Sequence, residues 1–280
     1  MIETSTQLKS LVRNRSGGNS LRAQMIIRSY VMERFLERLS RSRFRSNFIV
    51  KGGALITSMI GIEKRSTMDI DLTLRNFELS ERSIRTVVQE IINIDLSDSI
   101  IFSILDISII MEDFEYPGIR VLLNSEIDRM STPLKLDFST GDIITPSEVD
   151  YSYTLMFEDR SITLLAYNLE TILSEKFETI ISRGIANSRM RDFYDIYSLQ
   201  SIGKVINEEH FVNALKNTSR QRNSYKLIEA WKETIELLRE NANMRKLWES
   251  YQKKFDYALD LSWGTVIEAV VSLGMLIESI

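Results

Sequence analysis

The chain has 280 residues, 44% of them hydrophobic and 26% charged, with 35 Lys/Arg against 39 Asp/Glu; this is a globular composition, long enough for about two domains. Cys is absent and His occurs once, at His210, which excludes disulfides, Cys-based zinc sites, Cys nucleophiles and multi-His metal centres. Metal chemistry would have to rest on carboxylates, which favour hard ions such as Mg²⁺ or Mn²⁺, and a Ser-His-Asp triad would need His210 and a G-x-S-x-G elbow that is absent.

In chain order, Asn19-Ser20 caps an expected helix over 20–40, in which Met25, Ile26, Tyr30, Phe35 and Leu36 recur at helical spacing with Arg on other positions. Phe48-Ile49-Val50 is short and β-prone and stops at Gly52-Gly53; Ala54–Ile60 reads as a short helix closed by Gly61. Met68–Leu74 alternates as a strand should, 80–94 reads as a helix, and 100–112, 118–125, 133–138 and 151–157 are β-rich, with Pro117-Gly118 marking a turn. From Asn168 the pattern is helical, with candidate helices at 168–184, 189–201, 207–217, 224–240, 243–258 and 264–279. The last proline is Pro146, so nothing interrupts a bundle. The expected fold class is α+β: an N-terminal mixed-sheet domain over 1–165 and an all-α helical C-terminal domain over 166–280.

The net charge of −4 hides a segregation. Residues 1–45 hold ten Lys/Arg against three Glu, 46–202 hold 14 basic against 25 acidic residues, and 203–254 hold 11 against seven. Basic flanks can grip a polyanion while an acidic centre binds metal, or all three can be solvated faces. No leader-like N-terminus is visible, and the longest apolar stretch, Trp263–Ile280, is broken by Glu268 and Glu278. The expectation is a cytoplasmic protein without membrane association.

Chemistry is expected on two strands. In Met68–Leu74, period two puts Met68, Ile70, Leu72 and Leu74 on one face and Asp69 and Asp71 on the other. In Leu134–Phe138, Lys135 and Asp137 share the polar face. If the strands are neighbours, three carboxylates converge, the outline of a two-metal phosphoryl-transfer site; otherwise they are unrelated solvent-facing aspartates. Upstream, Lys51-Gly52-Gly53 opens a helix, where glycines let the backbone approach a phosphate.

That order of parts resembles the DNA polymerase β-like nucleotidyltransferase superfamily. Within it, KGGALITSMIGIEKRSTMDIDLTL looks like motif I of the AbiEii/AbiGii toxin family of bacterial abortive-infection and toxin–antitoxin systems. Lys135-Leu136-Asp137 fits its K-x-D motif II, Ser174–Phe177 with Arg183 its motif III, and Arg191–Tyr197 its motif IV. Gly53 stands where many superfamily members have Ser, which removes a hydroxyl contact to phosphate and keeps the backbone one.

The resemblance implies a nucleotidyltransferase-like N-terminal domain, with motifs III and IV carried by the helical domain. Asp69, Asp71 and Asp137 would hold Mg²⁺ or Mn²⁺. Gly52, Gly53, Lys51, Arg65, Lys135, Lys176 and Arg183 would contact an NTP, and Lys176 and Asp192 would join the aspartates in catalysis. The implied acceptor is RNA, the tRNA 3′ end, whose modification blocks translation, and the implied partner is a cognate antitoxin that need not touch the toxin. A protein hydroxyl, a small-molecule acceptor and a non-catalytic nucleotide-binding module are the alternatives. From spacing alone, Asp195 can pair with Arg191, and His210 reads as structural or exposed.

Overall fold

The computed structural model describes residues 2–110 and 118–278. The chain divides into two compact units, one comprising the residues up to Asp142 with Val149–Ala166, the other Ile143–Glu148 with Tyr167 onward.

The first unit contains helices α1 (Ser5–Ser16), α2 (Ser20–Arg41), α3 (Gly52–Ile60) and α4 (Glu81–Ile92). Its strands are β1 (Phe48–Lys51), β2 (Asp69–Leu74), β3 (Ile101–Ile110), β4 (Gly118–Ile127), β5 (Met130–Ser139), β6 (Val149–Thr154) and β7 (Ser161–Ala166). Among the described residues they form one seven-stranded sheet in the order β3-β4-β5-β2-β1-β7-β6. Pairing is antiparallel except β2 with β5 and β1 with β7. Helix α1 was not anticipated. It starts at a capping box in which Thr4 accepts from Gln7 N–H and the Gln7 side chain reaches back. Nor was β7, which pairs with edge strand β6. The expected Pro117 turn and residues 111–112 lie outside the described residues.

Alternation in the central strands separates two faces. Val50, Leu72, Phe138 and Ile119 stand opposite one another and are buried. With Leu134, Leu136 and Val121 they form a core with Phe35, Leu36 and Leu39 of α2 and Val87, Val88 and Ile91 of α4. Met68 departs from the expected apolar face: it precedes β2 and is 54% exposed.

Helix α2 corrects a second expectation. Arg34 and Arg38, part of the basic segment read as either a polyanion grip or a solvated face, are buried. Arg38 forks onto Asp98 with bonds of 2.8 and 2.7 Å, and Arg34 lies 3.0 Å from Glu37 and 3.2 Å from Glu158. Arg160 closes the cluster on both Glu37 oxygens at 2.8 and 2.9 Å. A helix covered over Ser29–Leu39 has no polar face there, so its charges need internal partners.

Glu33, also on this helix, takes the Met156 N–H at 3.0 Å. Burial pushes its carboxyl up to about 7. The folded protein therefore binds the extra proton between about 4.5 and 7, and stability contributed by this group falls as pH rises through that window. Glu33→Gln keeps an acceptor for Met156 and removes the ionisation. Its expected result is a gain approaching about 3 kcal/mol at pH 8, vanishing at pH 4. Urea unfolding of both proteins across that range checks it; parallel pH profiles would refute it.

The second unit is helical: α5 (Leu169–Arg183), α6 (Met190–Gln200), α7 (Glu208–Gln221), α8 (Tyr225–Glu229), α9 (Trp231–Glu240), α10 (Ala242–Lys254) and α11 (Trp263–Met275), with short 3₁₀ turns. The expected helix over 224–240 breaks at Ala230, and that over 243–258 ends at Lys254 before a 3₁₀ turn. Ile143–Glu148 join this unit because Asn168 Nδ2 donates to the carbonyls of Thr145 and Ser147 at 2.9 and 2.8 Å, and Asn217 Nδ2 to Thr145 Oγ1 at 2.9 Å. Phe177 packs edge-on against Phe211 and Trp231. Val266, Val270 and Leu273 of α11 are core. No helix among the described residues is long and apolar enough to cross a membrane.

Candidate active site

The polar face of the central strands carries one continuous row. Lys51 on β1 stands opposite Asp71 on β2, Asp71 opposite Asp137 on β5, and Asp137 opposite Arg120 on β4. Directly paired residues point to the same side of a sheet, so the row reads cation, carboxylate, carboxylate, cation. Two residues along β2, Asp69 stands opposite Lys135. Sequence alternation anticipated the three aspartates; the parallel pairing of β2 with β5 is what makes Asp71 and Asp137 neighbours.

The glycine turn is built against these carboxylates. Gly52 has φ +60°, and a Cβ there would lie 1.9 Å from Asp71 Oδ2. Gly53 N–H donates to the same oxygen at 3.2 Å. A Cβ on Gly53 would lie 2.3 Å from Thr67 Oγ1, and that hydroxyl donates to Asp69 Oδ1 at 2.9 Å. Both positions thus require the absence of a side chain. Burial raises the Asp71 carboxyl above its ordinary range; Asp69 and Asp137 push the same way, while the Gly53 amide and Lys51 oppose.

Other expected contacts resolve differently. Arg65, expected at the nucleotide, is 2% exposed and its Nη1 donates to Gly53 O at 2.7 Å and Thr57 Oγ1 at 3.2 Å. It braces the turn from beneath, because the loop before β2 folds under α3. Lys51 Nζ lies 2.5 Å from Asp142 and donates to Ser139 Oγ at 2.8 Å, so its charge is held within the sheet end. Asp142 also accepts from Thr73 at 2.6 Å and Ser139 at 2.8 Å. Burial acts to raise its carboxyl, but Lys51 and these hydroxyls outweigh it and hold it below the usual range. Lys135 is exposed and makes no ion pair among the described residues.

Two participants escaped sequence reasoning: Asp142, and Arg120, whose Nε and Nη2 grip Asp137 at 2.8 and 2.6 Å. Both Asp137 oxygens face that guanidinium. The donor set nevertheless suits a hard divalent cation. Asp69 and Asp71 share one face, their mutual repulsion is what a cation relieves, and Asp137 is adjacent in register.

In the helical unit, Lys176 on α5 donates to Asp192 Oδ1 at 2.8 Å and lies 2.7 Å from Asp195 Oδ2 on α6. Both aspartates are buried, so the lysine is held between two carboxylates. Arg189 adds a contact to Asp192 Oδ2 at 3.1 Å. Arg191, the alternative partner for Asp195, lies over the Phe255 ring. Arg183 is exposed and makes no ion pair among the described residues. His210 is half-buried at the start of α7, its N–H capped by Asn207.

The family model for the nucleotidyl transferase AbiEii toxin of a Type IV TA system matches residues 34–269. The chain belongs to that family. It is a nucleotidyltransferase of the AbiEii toxin family, with an NTP as its substrate. Among solved structures the chain is similar to a candidate nucleotidyltransferase from Helicobacter pylori, at 18% identity and TM-score 0.47, over 91% of this chain and 94% of that one. It is also similar to JHP933 from Helicobacter pylori, at 16% identity and TM-score 0.46, over 91% of each chain. A third is an antigenic nucleotidyltransferase-like protein from Paracoccidioides brasiliensis, at 16% and 0.40, over 82% of this chain and 94% of that one. No curated protein matches the chain. Membership of the AbiEii family rests on the match over residues 34–269.

Proposed function

We propose that this AbiEii-family toxin transfers a nucleoside monophosphate from an NTP to RNA, at the 3′ end of tRNA, and thereby blocks translation in the cytoplasm. The observation that carries the reading is the cross-strand row of Asp71 and Asp137, with Asp69 beside it, built against the Gly52-Gly53 turn. Asp69, Asp71 and Asp137 would hold Mg²⁺ or Mn²⁺. When bound, such ions supply positive charge at the attacking and leaving oxygens of a phosphoryl transfer.

The residues then divide the work. The α3 N-terminus offers amide N–H groups to the triphosphate, and Gly52 lets the backbone come close. Lys135, exposed beside Asp69, adds a charge for phosphate oxygens. Asp137 receives the proton of the attacking hydroxyl. The acceptor oxygen forms a bond to the α-phosphorus, the bond from that phosphorus to its bridging oxygen breaks, and pyrophosphate leaves. Lys176 and Asp192, paired within the helical unit, are the further residues assigned to catalysis. A cognate antitoxin restrains the toxin, without direct contact being required.

RNA as acceptor draws on the exposed cations. With Arg34 and Arg38 internal, the exposed cations include Lys9 and Arg13 on α1 and Lys246, Lys253 and Lys254 on α10. The test is incubation with each α-labelled NTP, Mg²⁺ and total cellular RNA. Label is expected in tRNA-sized RNA and removable with its 3′-terminal nucleotide. Label confined to protein or small molecules would replace the acceptor, and NTP binding without pyrophosphate release would replace the enzyme by a binding module.

A further inference from the structure

Arg120 has no part in the assignment above, yet it holds both oxygens of Asp137 in a planar fork. This is not a surface pair formed by chance of reach. The two residues are direct partners in the β4–β5 register, so the backbone fixes their meeting. The pair is partly exposed, Arg120 at 38% and Asp137 at 17%, and lies on the polar face of the sheet, so it can part without unpacking the core. The guanidinium occupies the oxygens that the proposed cation site needs. A fork that matches a carboxylate also matches a phosphate.

We infer that Arg120 is a positioning residue that exchanges partners: it clasps Asp137 while the site lacks metal and nucleotide, and surrenders that carboxylate when they bind, turning its fork to the triphosphate oxygens. The inference rests on the reading of Asp69, Asp71 and Asp137 as cation ligands. Arg120 neutralises Asp137 while it clasps it; bound cations would take over that role, and Arg120 would face added phosphate charge. The exchange also gives the toxin a reason to bind metal and NTP together rather than metal alone.

The experiment is a double-mutant cycle read by Mn²⁺ binding alone, followed by electron paramagnetic resonance without nucleotide, on the full chain. Folding is checked by circular dichroism. Arg120→Gln removes the clasp and is expected to tighten Mn²⁺ at least tenfold. Loss of a nearby positive charge would tighten any cation in part, so the same change is made in an Asp137→Asn background, where the gain is expected to shrink to about twofold or less. Arg120→Lys, which keeps the charge and loses the fork, is expected to fall between. A non-hydrolysable NTP should bind more weakly to Arg120→Gln than to the parent at saturating Mn²⁺. Unchanged Mn²⁺ affinity in Arg120→Gln, or an equal gain with and without Asp137, overturns the exchange while leaving the cation site standing, provided Asp71→Asn abolishes Mn²⁺ binding. Absence of Mn²⁺ binding in every variant, nucleotide present or not, overturns both.

Discussion

Asp71→Asn is expected to lower nucleotidyl transfer at least about 10³-fold while the protein stays folded. A cation ligand that stabilises transferred charge is worth several kcal/mol in the transition state, and about 4 kcal/mol corresponds to that factor. Stability should not follow activity downward. Asp71 is held close to Asp69 and Asp137, and an asparagine relieves the repulsion while its carbonyl can still accept the Gly53 N–H. Pyrophosphate release and thermal unfolding, measured on the same preparation, separate the two. A folded variant retaining a tenth or more of the parent rate would remove Asp71 from the chemistry.

Gly52→Ala is expected to damage fold and activity together. An alanine at φ +60° carries roughly 1–2 kcal/mol of backbone cost, and its Cβ would meet Asp71 Oδ2 at 1.9 Å and Cγ at 2.6 Å. Either the turn opens or Asp71 swings out of the row. A total loss of about 2–4 kcal/mol is expected in urea unfolding, with transfer down at least about 100-fold. Gly61 closes the same helix with φ +94°, but nothing lies within 4 Å of a Cβ there. Gly61→Ala should therefore cost about 1–3 kcal/mol through backbone strain alone and leave transfer near the parent rate. Equal losses of transfer at both glycines would show that backbone strain alone, and not the approach to Asp71, governs the turn.

The contrast between β2 and its surroundings shows what a single sequence makes legible. Local periodicity marks Asp69 and Asp71 as one face of a strand, because side-chain direction depends only on residue parity. The neighbour of that face depends on a parallel pairing with a strand more than 60 residues away, which no local pattern encodes. Arg120 stood between these cases. The β4–β5 hairpin closes over Asp128-Arg129, with Ile127 opposite Met130 and Asp128 at φ 53°. A two-residue loop sets register by counting, so Arg120 opposite Asp137 follows once that turn is recognised; sequence reasoning ended the first strand too early to see it. Arg34 and Arg38 failed for the opposite reason. Helical spacing placed them off the apolar stripe, but α2 is covered on all sides there, and their partners Asp98, Glu158 and Arg160-bound Glu37 come from distant segments or from the covered face. Motifs III and IV supplied Lys176 and Asp192 as residues, while the two-carboxylate grip on Lys176 emerged only from the packing of α5 on α6.

Strand β5 slots between β4 and β2, so the aspartate pair is synthesised long before its third member can join it. A growing polypeptide that has emerged only as far as β2 carries the acidic pair with its eventual neighbour still unmade, and closing so long a loop is the slow kind of step in folding. The three carboxylates cannot meet until β5, Met130–Ser139 in a chain of 280 residues, has been made.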